Sequence, residues 1–158
     1  MPNYEYPRPA YTVDVAVLVP GKRVRILLIK RGNYPFKGFY ALPGGFVDIN
    51  ENSLSAAKRE LLEETSVEVN HIVPFKFLDD TGRDPRGRTL TMVYLAVVDI
   101  DECVVKAGDD AAEAKWFYID ELPSLAFDHG CVINEIDKFI KNGVEDKSLE
   151  RLWKNFKI

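Results

Sequence analysis

The order of apolar runs along this chain predicts an α/β fold in which a mixed β-sheet is held between helices. Three observations carry that expectation. Two β-branched runs, Tyr11 to Val19 and Val24 to Ile29, flank the turn residues Pro20-Gly21-Lys22. After Gly44-Gly45, the residues Leu54, Ala57 and Leu61 repeat at helical spacing. Two further strand-like runs follow, and from Phe127 the residues Val132, Ile133, Ile136, Phe139 and Ile140 outline an amphipathic helix ending near Gly143.

Residues 1–10, with Pro2, Pro7 and Pro9 among Tyr4 and Tyr6, read as an extended arm, and 11–158 as one domain. The first two runs form a buried hairpin. Gly32 to Phe39 is an irregular loop, and Tyr40-Ala41-Leu42 leads through Pro43 to the two glycines, with Phe46-Val47 a short strand. Ser53 is the expected N-cap of the following helix. Val67 to Leu78 reads as a strand interrupted at Pro74. Asp79 to Arg88 is a polar loop, Arg88 to Ile100 a long central strand, Gly108 to Glu113 an acidic loop, and Lys115 to Ile119 another strand. Asp120 to Pro123 is a turn. Leu149, Leu152, Trp153 and Phe156 mark a second short helix.

The chemistry concentrates between Gly44 and Val67. Asp48, Glu51, Glu60, Glu63 and Glu64 are all acidic, and Glu63 and Glu64 stand three and four places after Glu60. At about 100° per residue, those three share one face of a helix. Like charges so placed destabilise a helix unless compensated, and a divalent cation would compensate them. Oxygen ligands suit a hard ion such as Mg²⁺, which takes a few carboxylates plus water and substrate phosphates. The alternative is a solvated acidic face. Against it stand the apolar side of the same helix, Arg59 four residues before Glu63, and two glycines that let the backbone approach an ion closely.

Gly45, five residues, Glu51, seven residues, then Arg59-Glu60-Leu61-Leu62-Glu63-Glu64-Thr65-Ser66-Val67 resembles the Nudix box. Eight of its nine specified positions match over 23 residues, Ser66 standing where the family has glycine. That glycine follows the helix end, where a left-handed conformation is common, so serine should cost on the order of 1 kcal/mol there. The resemblance implies an α/β/α Nudix sandwich over roughly 11–142 and metal-dependent hydrolysis of a nucleoside diphosphate linked to another moiety.

It also implies roles. Glu60 and Glu64 would ligate Mg²⁺ (or Mn²⁺), with Glu63 a direct or water-mediated ligand, the Gly44 carbonyl a further one, and Glu51 involved indirectly. Arg59 would orient a carboxylate. The general base stays open between Glu60 and Glu113, with Asp110 behind Glu113. GRDPRGR and AGDDAAEAKWF resemble segments of bacterial Nudix proteins that act on or sense ADP-ribose, pointing to AMP and ribose 5-phosphate as products. Arg83, Arg86 and Arg88 are then candidate phosphate contacts, arginine being suited to bidentate grip, against a solvated hairpin tip. Phe39, with Phe36, Tyr40 and Tyr11, is a candidate for stacking on adenine, against core packing.

Two other readings compete: a sanitiser of oxidised nucleoside triphosphates, and a non-catalytic ADP-ribose sensor. Regulators with a similar domain carry a winged helix after it, for which about 40 residues beyond Trp116 are too few, and they often lose box carboxylates that are present here. A net charge of −4 argues against a broad nucleic-acid surface. Composition is that of a soluble globular chain, 46% hydrophobic, with no apolar run near 18 residues and no signal pattern at the N-terminus. A cytoplasmic protein without a membrane partner is expected, with a homodimer implied by the resemblance. Cys103 and Cys131 read as free buried thiols, and His129 as a structural histidine.

Overall fold

The computed structural model describes residues 4–108 and 111–142. Asp110 and the second short helix expected around Leu149 to Phe156 lie outside them. The described elements are β1 (Ala10–Val19), β2 (Arg25–Arg31), β3 (Tyr40–Ala41), β4 (Gly44–Phe46), α1 (Ser53–Thr65), β5 (Val73–Leu78), β6 (Thr89–Val97), a single 3₁₀ turn (Ile100–Glu102), β7 (Ala111–Tyr118) and α2 (His129–Lys141).

The sheet runs β3-β2-β1-β6-β5, with β4 also paired to β1 and β7 to β2. β1 and β6 run parallel, Asp14 opposite Val93, while the other named pairings are antiparallel. The sheet is therefore mixed, as expected. β1 is buried on both faces because each is covered. Val13, Val15 and Val17 pack with Ala56, Ala57 and Leu61 of α1. Ala16 and Leu18 pack with Val132, Ile133 and Ile136 of α2. One helix on each face makes the α/β/α sandwich.

Several local expectations change. Asn52, not Ser53, caps α1: its side chain accepts the Ser55 N–H at 2.9 Å, and the Ser53 hydroxyl bonds Tyr94 Oη at 2.8 Å instead. Leu54 is 42% exposed, and Ala56 takes the buried position expected of it. Residues 67–72 are not strand. β5 begins at Val73 and tolerates Pro74 because it is a sheet edge with a register shift between Pro74 and Lys76. β7 begins at Ala111, so Glu113 belongs to a strand rather than a loop. β1 begins at Ala10, one residue inside the expected arm, while Tyr4 and Tyr6 are exposed. Cys131 is exposed and Cys103 half-buried.

Ser66 takes the left-handed conformation, φ 60° and ψ 15°, and its N–H donates to Leu62 O at 2.8 Å. The helix-ending geometry expected of a glycine is thus kept. Lys106 N–H and Gly108 N–H donate to the Thr65 and Glu64 carbonyls, satisfying helix-end acceptors.

Candidate active site

With Ala56, Ala57 and Leu61 buried, Arg59 and Glu63 lie on the outer side of α1, while Glu60 and Glu64 stand at the edge of its buried side, against Gly45 and Gly44. Arg59 organises this face. It donates to both oxygens of Glu51, at 2.6 and 3.2 Å, to Glu60 Oε1 at 2.8 Å, to Glu63 Oε2 at 3.0 Å and to the Phe46 carbonyl at 3.0 Å. Its hydrogen bonds to Glu51 raise its pKa above the usual value, and the same bonds lower that of Glu51. Glu51 also accepts the Asp48 N–H. One guanidinium thus spans three box carboxylates and the loop in front of them.

Glu64 is the carboxylate that Arg59 does not reach in these contacts. Its Oε2 accepts the Gly44 N–H at 2.9 Å, and burial pushes its pKa up to about 8. Burial also raises Glu60, against the pull of Arg59. Desolvation disfavours an ionised carboxylate unless a positive charge is supplied. Glu60 and Glu64 line one cleft together with Gly44 and Gly45. Among the described residues no three His, Cys, Asp or Glu side chains form an all-protein metal cage. Two half-buried carboxylates facing a cleft nonetheless fit a hard divalent ion, which takes one or two carboxylates and fills its other positions with water and substrate phosphates.

Both glycines are demanded by close approach rather than by positive φ. A Cβ on Gly45 would lie 2.5 Å from Glu60 Cδ, and one on Gly44 2.7 Å from Asp14 Oδ1. β4 is therefore a thin partition, with the box carboxylates on one side and Asp14 on the other. Beyond it lies a second pocket, lined among others by Thr12, Asp14, Thr91 and His129. Arg31, Phe46 and Arg86 line both cavities.

The arginines of the polar loop separate in role. The Arg83 side chain is 6% exposed, bidentate to Asp128 at 2.8 Å, and bonded to Thr91 Oγ1. Arg86 is held through Nε and Nη2 by Asp84 and lies over the rings of Phe46 and Phe127, 5.1 and 5.3 Å from their centroids. Burial would raise the Asp84 carboxyl, but Arg86 outweighs it and the pKa is lowered. Arg88 donates to the Asp79 carbonyl and lines neither cavity. Phe39, 41% exposed, meets Phe36 edge-on and also lines neither.

Glu113 is not brought to the box. It shares a face of β7 with Phe117, which packs against the α2-side core, whereas Trp116 packs on the α1 side. Its carboxylate accepts from Tyr40 Oη at 2.5 Å and pairs with Lys115 at 2.6 Å, and Lys115 first, then Tyr40, lowers its pKa. His129 is buried, with Nδ1 accepting the Leu42 N–H at 2.9 Å, so its proton sits on Nε2, 3.5 Å from Asp14 Oδ2.

Asp14, Arg31, Phe46, Asp84 and Phe127 are pocket residues that the sequence reading did not single out. Asp14 carried a signal, as a lone charge inside an apolar β-branched run. The others become visible only once loops distant in sequence converge.

Comparison with known proteins agrees with this geometry. The NUDIX domain family matches residues 9–136. An ADP-ribose pyrophosphatase of Methanocaldococcus jannaschii is 42% identical over 138 residues, covering 87% of this chain and 78% of that protein. The ADPR responsive transcriptional repressor NtrR of Acinetobacter baylyi is 35% identical over 130 residues, 79% of this chain but only 52% of the repressor. Among solved structures, the NUDIX domain of Shewanella oneidensis NrtR complexed with ADP ribose aligns with a TM-score of 0.78 at 28% identity, covering 87% of this chain and 94% of that one. With its box on α1, its sandwich architecture and most of its length matched, this chain belongs to the Nudix family of hydrolases.

Proposed function

We propose that this protein hydrolyses ADP-ribose to AMP and ribose 5-phosphate with Mg²⁺, Mn²⁺ being the alternative ion. The observation that carries the reading is the pair Glu60 and Glu64 facing one cleft across Gly44-Gly45, with every box carboxylate retained. The relative at 42% identity, named an ADP-ribose pyrophosphatase, supports the substrate. Nudix hydrolases use divalent metal ions, and here Glu60, Glu64 and the Gly44 carbonyl would hold one. Such an ion would neutralise pyrophosphate oxygens and lower the pKa of the attacking water.

The chain's own groups do the rest. Arg59 keeps Glu51, Glu60 and Glu63 in register, so the cleft is preorganised before substrate arrives. Arg31 and Arg86, at the junction of the two cavities, supply positive charge for a diphosphate. Glu60 is favoured over Glu113 as the general base, since Glu60 lines the cleft and Glu113 faces the α2 side.

The same reading takes residues 11–158 as one domain and the protein as a cytoplasmic homodimer acting on a free nucleotide, without nucleic acid. Light scattering checks the dimer. Among the described residues no helix is long and apolar enough to cross a membrane.

A second reading, a sensor that binds ADP-ribose without cleaving it, draws on the likeness to the NrtR domain. Incubation with Mg²⁺ and a panel of ADP-ribose, NADH, diadenosine polyphosphates, nucleotide sugars and oxidised dGTP, beside Glu64→Gln, separates the two. Turnover of ADP-ribose that the variant loses supports the hydrolase. Turnover of another compound keeps the site and discards the substrate, and binding without turnover favours the sensor.

A further inference from the structure

Between β3 and β4 the chain changes partners, and one buried amide there bonds a side chain rather than a strand. Ala41 ends β3 opposite Ile29 of β2, and Gly44 opens β4 opposite Asp14 of β1. Of the two residues between, Pro43 has no N–H to give, and its carbonyl accepts the Val15 N–H at 2.8 Å. Leu42 is 2% exposed, so leaving its N–H unpaired would cost free energy. Its acceptor comes from 87 residues away in the sequence: His129 Nδ1, at 2.9 Å. Two residues after Leu42, the Gly44 N–H donates to Glu64. The two glycines that follow Pro43 have no side chains to pack, so their course is held by bonds made around them.

The histidine is itself held from several sides. The Ser124 carbonyl accepts the Tyr40 N–H at 2.9 Å and the Ala126 N–H donates to the Tyr40 carbonyl at 2.8 Å, so the segment entering α2 is laced to β3. Phe127 takes φ 52°, a left-handed conformation that is costly for an aromatic residue, and its ring centroid lies 5.5 Å from that of His129. Arg83 grips both oxygens of Asp128. A strained residue persists where its surroundings over-determine it, and here it stands two positions before a buried side chain aimed at backbone. Helix packing does not ask for this: Val132, Ile133 and Ile136 supply the apolar contacts of α2. Asp14 Oδ2 lies 3.5 Å from Nε2, longer than a good hydrogen bond but near enough to favour the proton on that nitrogen, which leaves Nδ1 free to accept.

We propose that His129 is a positioning residue for the box cleft. By holding the Leu42 N–H it sets the path of Leu42-Pro43, and with that path the Gly44 N–H that aims Glu64 and the Gly44 carbonyl assigned above to the metal. The inference rests on the reading of this cleft as a divalent-metal site. It adds a residue of α2, on the other face of the sheet from α1, that aims the ligand groups without touching metal or substrate. A merely structural histidine would support the stability of the fold and leave the chemistry of the folded protein unchanged.

The test compares wild type with His129→Leu and His129→Phe, which offer no acceptor, and with His129→Asn, whose Oδ1 can stand near the place of Nδ1 and accept the same N–H. Phenylalanine keeps a ring against Phe127, so it is measured in place of leucine if that variant does not fold. Each protein is assayed for kcat and KM with Mg²⁺ on ADP-ribose, or on whichever panel compound wild type cleaves. Mg²⁺ affinity without substrate is measured by calorimetry, and hydrogen exchange is followed at the Leu42 and Gly44 amides. The acceptor-free variants should lose about tenfold or more in kcat and in Mg²⁺ affinity, as outer partners of metal ligands do, with KM within about threefold and faster exchange at both amides. His129→Asn should stay within about threefold of wild type on every reading. Wild-type kcat and Mg²⁺ affinity in a folded acceptor-free variant would overturn the assignment, as would an asparagine variant that falls as far as the other two. Failure of both acceptor-free variants to fold would make His129 a structural residue and overturn it as well. If wild type cleaves nothing in the panel, the substrate reading fails by itself, and Mg²⁺ affinity with amide exchange still decides this one. If wild type binds no Mg²⁺, the metal reading fails and takes this assignment with it.

Discussion

Gly44 and Glu64 meet through a single 2.9 Å hydrogen bond from the glycine N–H to Oε2, and the other side of the same glycine lies against Asp14. The bond joins β4 to α1, so the carboxylate is aimed by the sheet as well as by its helix. Burial nevertheless outweighs that bond and leaves the Glu64 pKa at about 8 in the metal-free protein. A site held at that cost without an ion is arranged for one that brings positive charge.

Glu64 makes the metal-free protein sensitive to pH. A carboxyl whose pKa is raised on folding contributes stability that is full below its ordinary range and is lost as pH rises to about 8. Metal-free wild type should therefore weaken between about pH 5 and pH 8, by no more than ~1.4 kcal/mol per pH unit. Glu64→Gln should flatten this trend, and Mg²⁺ should restore wild type at the alkaline end. Thermal melts across pH decide it: parallel curves for the two proteins would mean that Glu64 ionises freely.

Gly45→Ala should abolish most activity without unfolding the chain. The added Cβ would lie 2.5 Å from Glu60 Cδ, and a side-chain carboxylate can swing away where backbone cannot. Displacing one ligand group by an ångström should lower kcat by about 100-fold. A melting temperature near wild type with kcat reduced is the expected pair of readings. An unchanged kcat would remove Glu60 from the reacting geometry.

Glu113→Gln tests the face assignment. A lost general base costs about 10²–10⁴ in rate. With its carboxylate engaged by Lys115 and Tyr40 on the α2 side, Glu113 should cost less than about threefold in kcat when neutralised. A drop of a hundredfold would show that β7 presents this residue to the substrate after all.

Ser66→Gly should stabilise the protein by about 0.5–1 kcal/mol and leave kcat alone. Ser66 pays a left-handed backbone penalty that glycine avoids, at a helix end whose Leu62 contact is a backbone bond and survives the change. Denaturant unfolding measures the gain, and a loss of stability would mean that the serine side chain has a compensating role.

Much of this molecule was legible before folding. The sandwich follows from the order of two-sided apolar runs and amphipathic helices, because burial periodicity is a local property of sequence. The box was legible for the same reason, Glu60, Glu63 and Glu64 being neighbours on one helix and Arg59 one residue away. Even the left-handed turn at Ser66 could be expected from its place past a helix end. What tertiary structure alone decided is which distant groups share a cavity. One strand residue's difference in phase turns Glu113 away from α1, and nothing local reveals that phase. Arg83 and Arg86, three places from one another in one loop, divide into a buried brace on Asp128 and a stacked cation at the cavity mouth. Asp14 lines a pocket only because the residue paired beside it on β4 is Gly44, whose missing side chain leaves that space open. Such pairings depend on packing between segments far apart in the chain, which no spacing within a segment encodes.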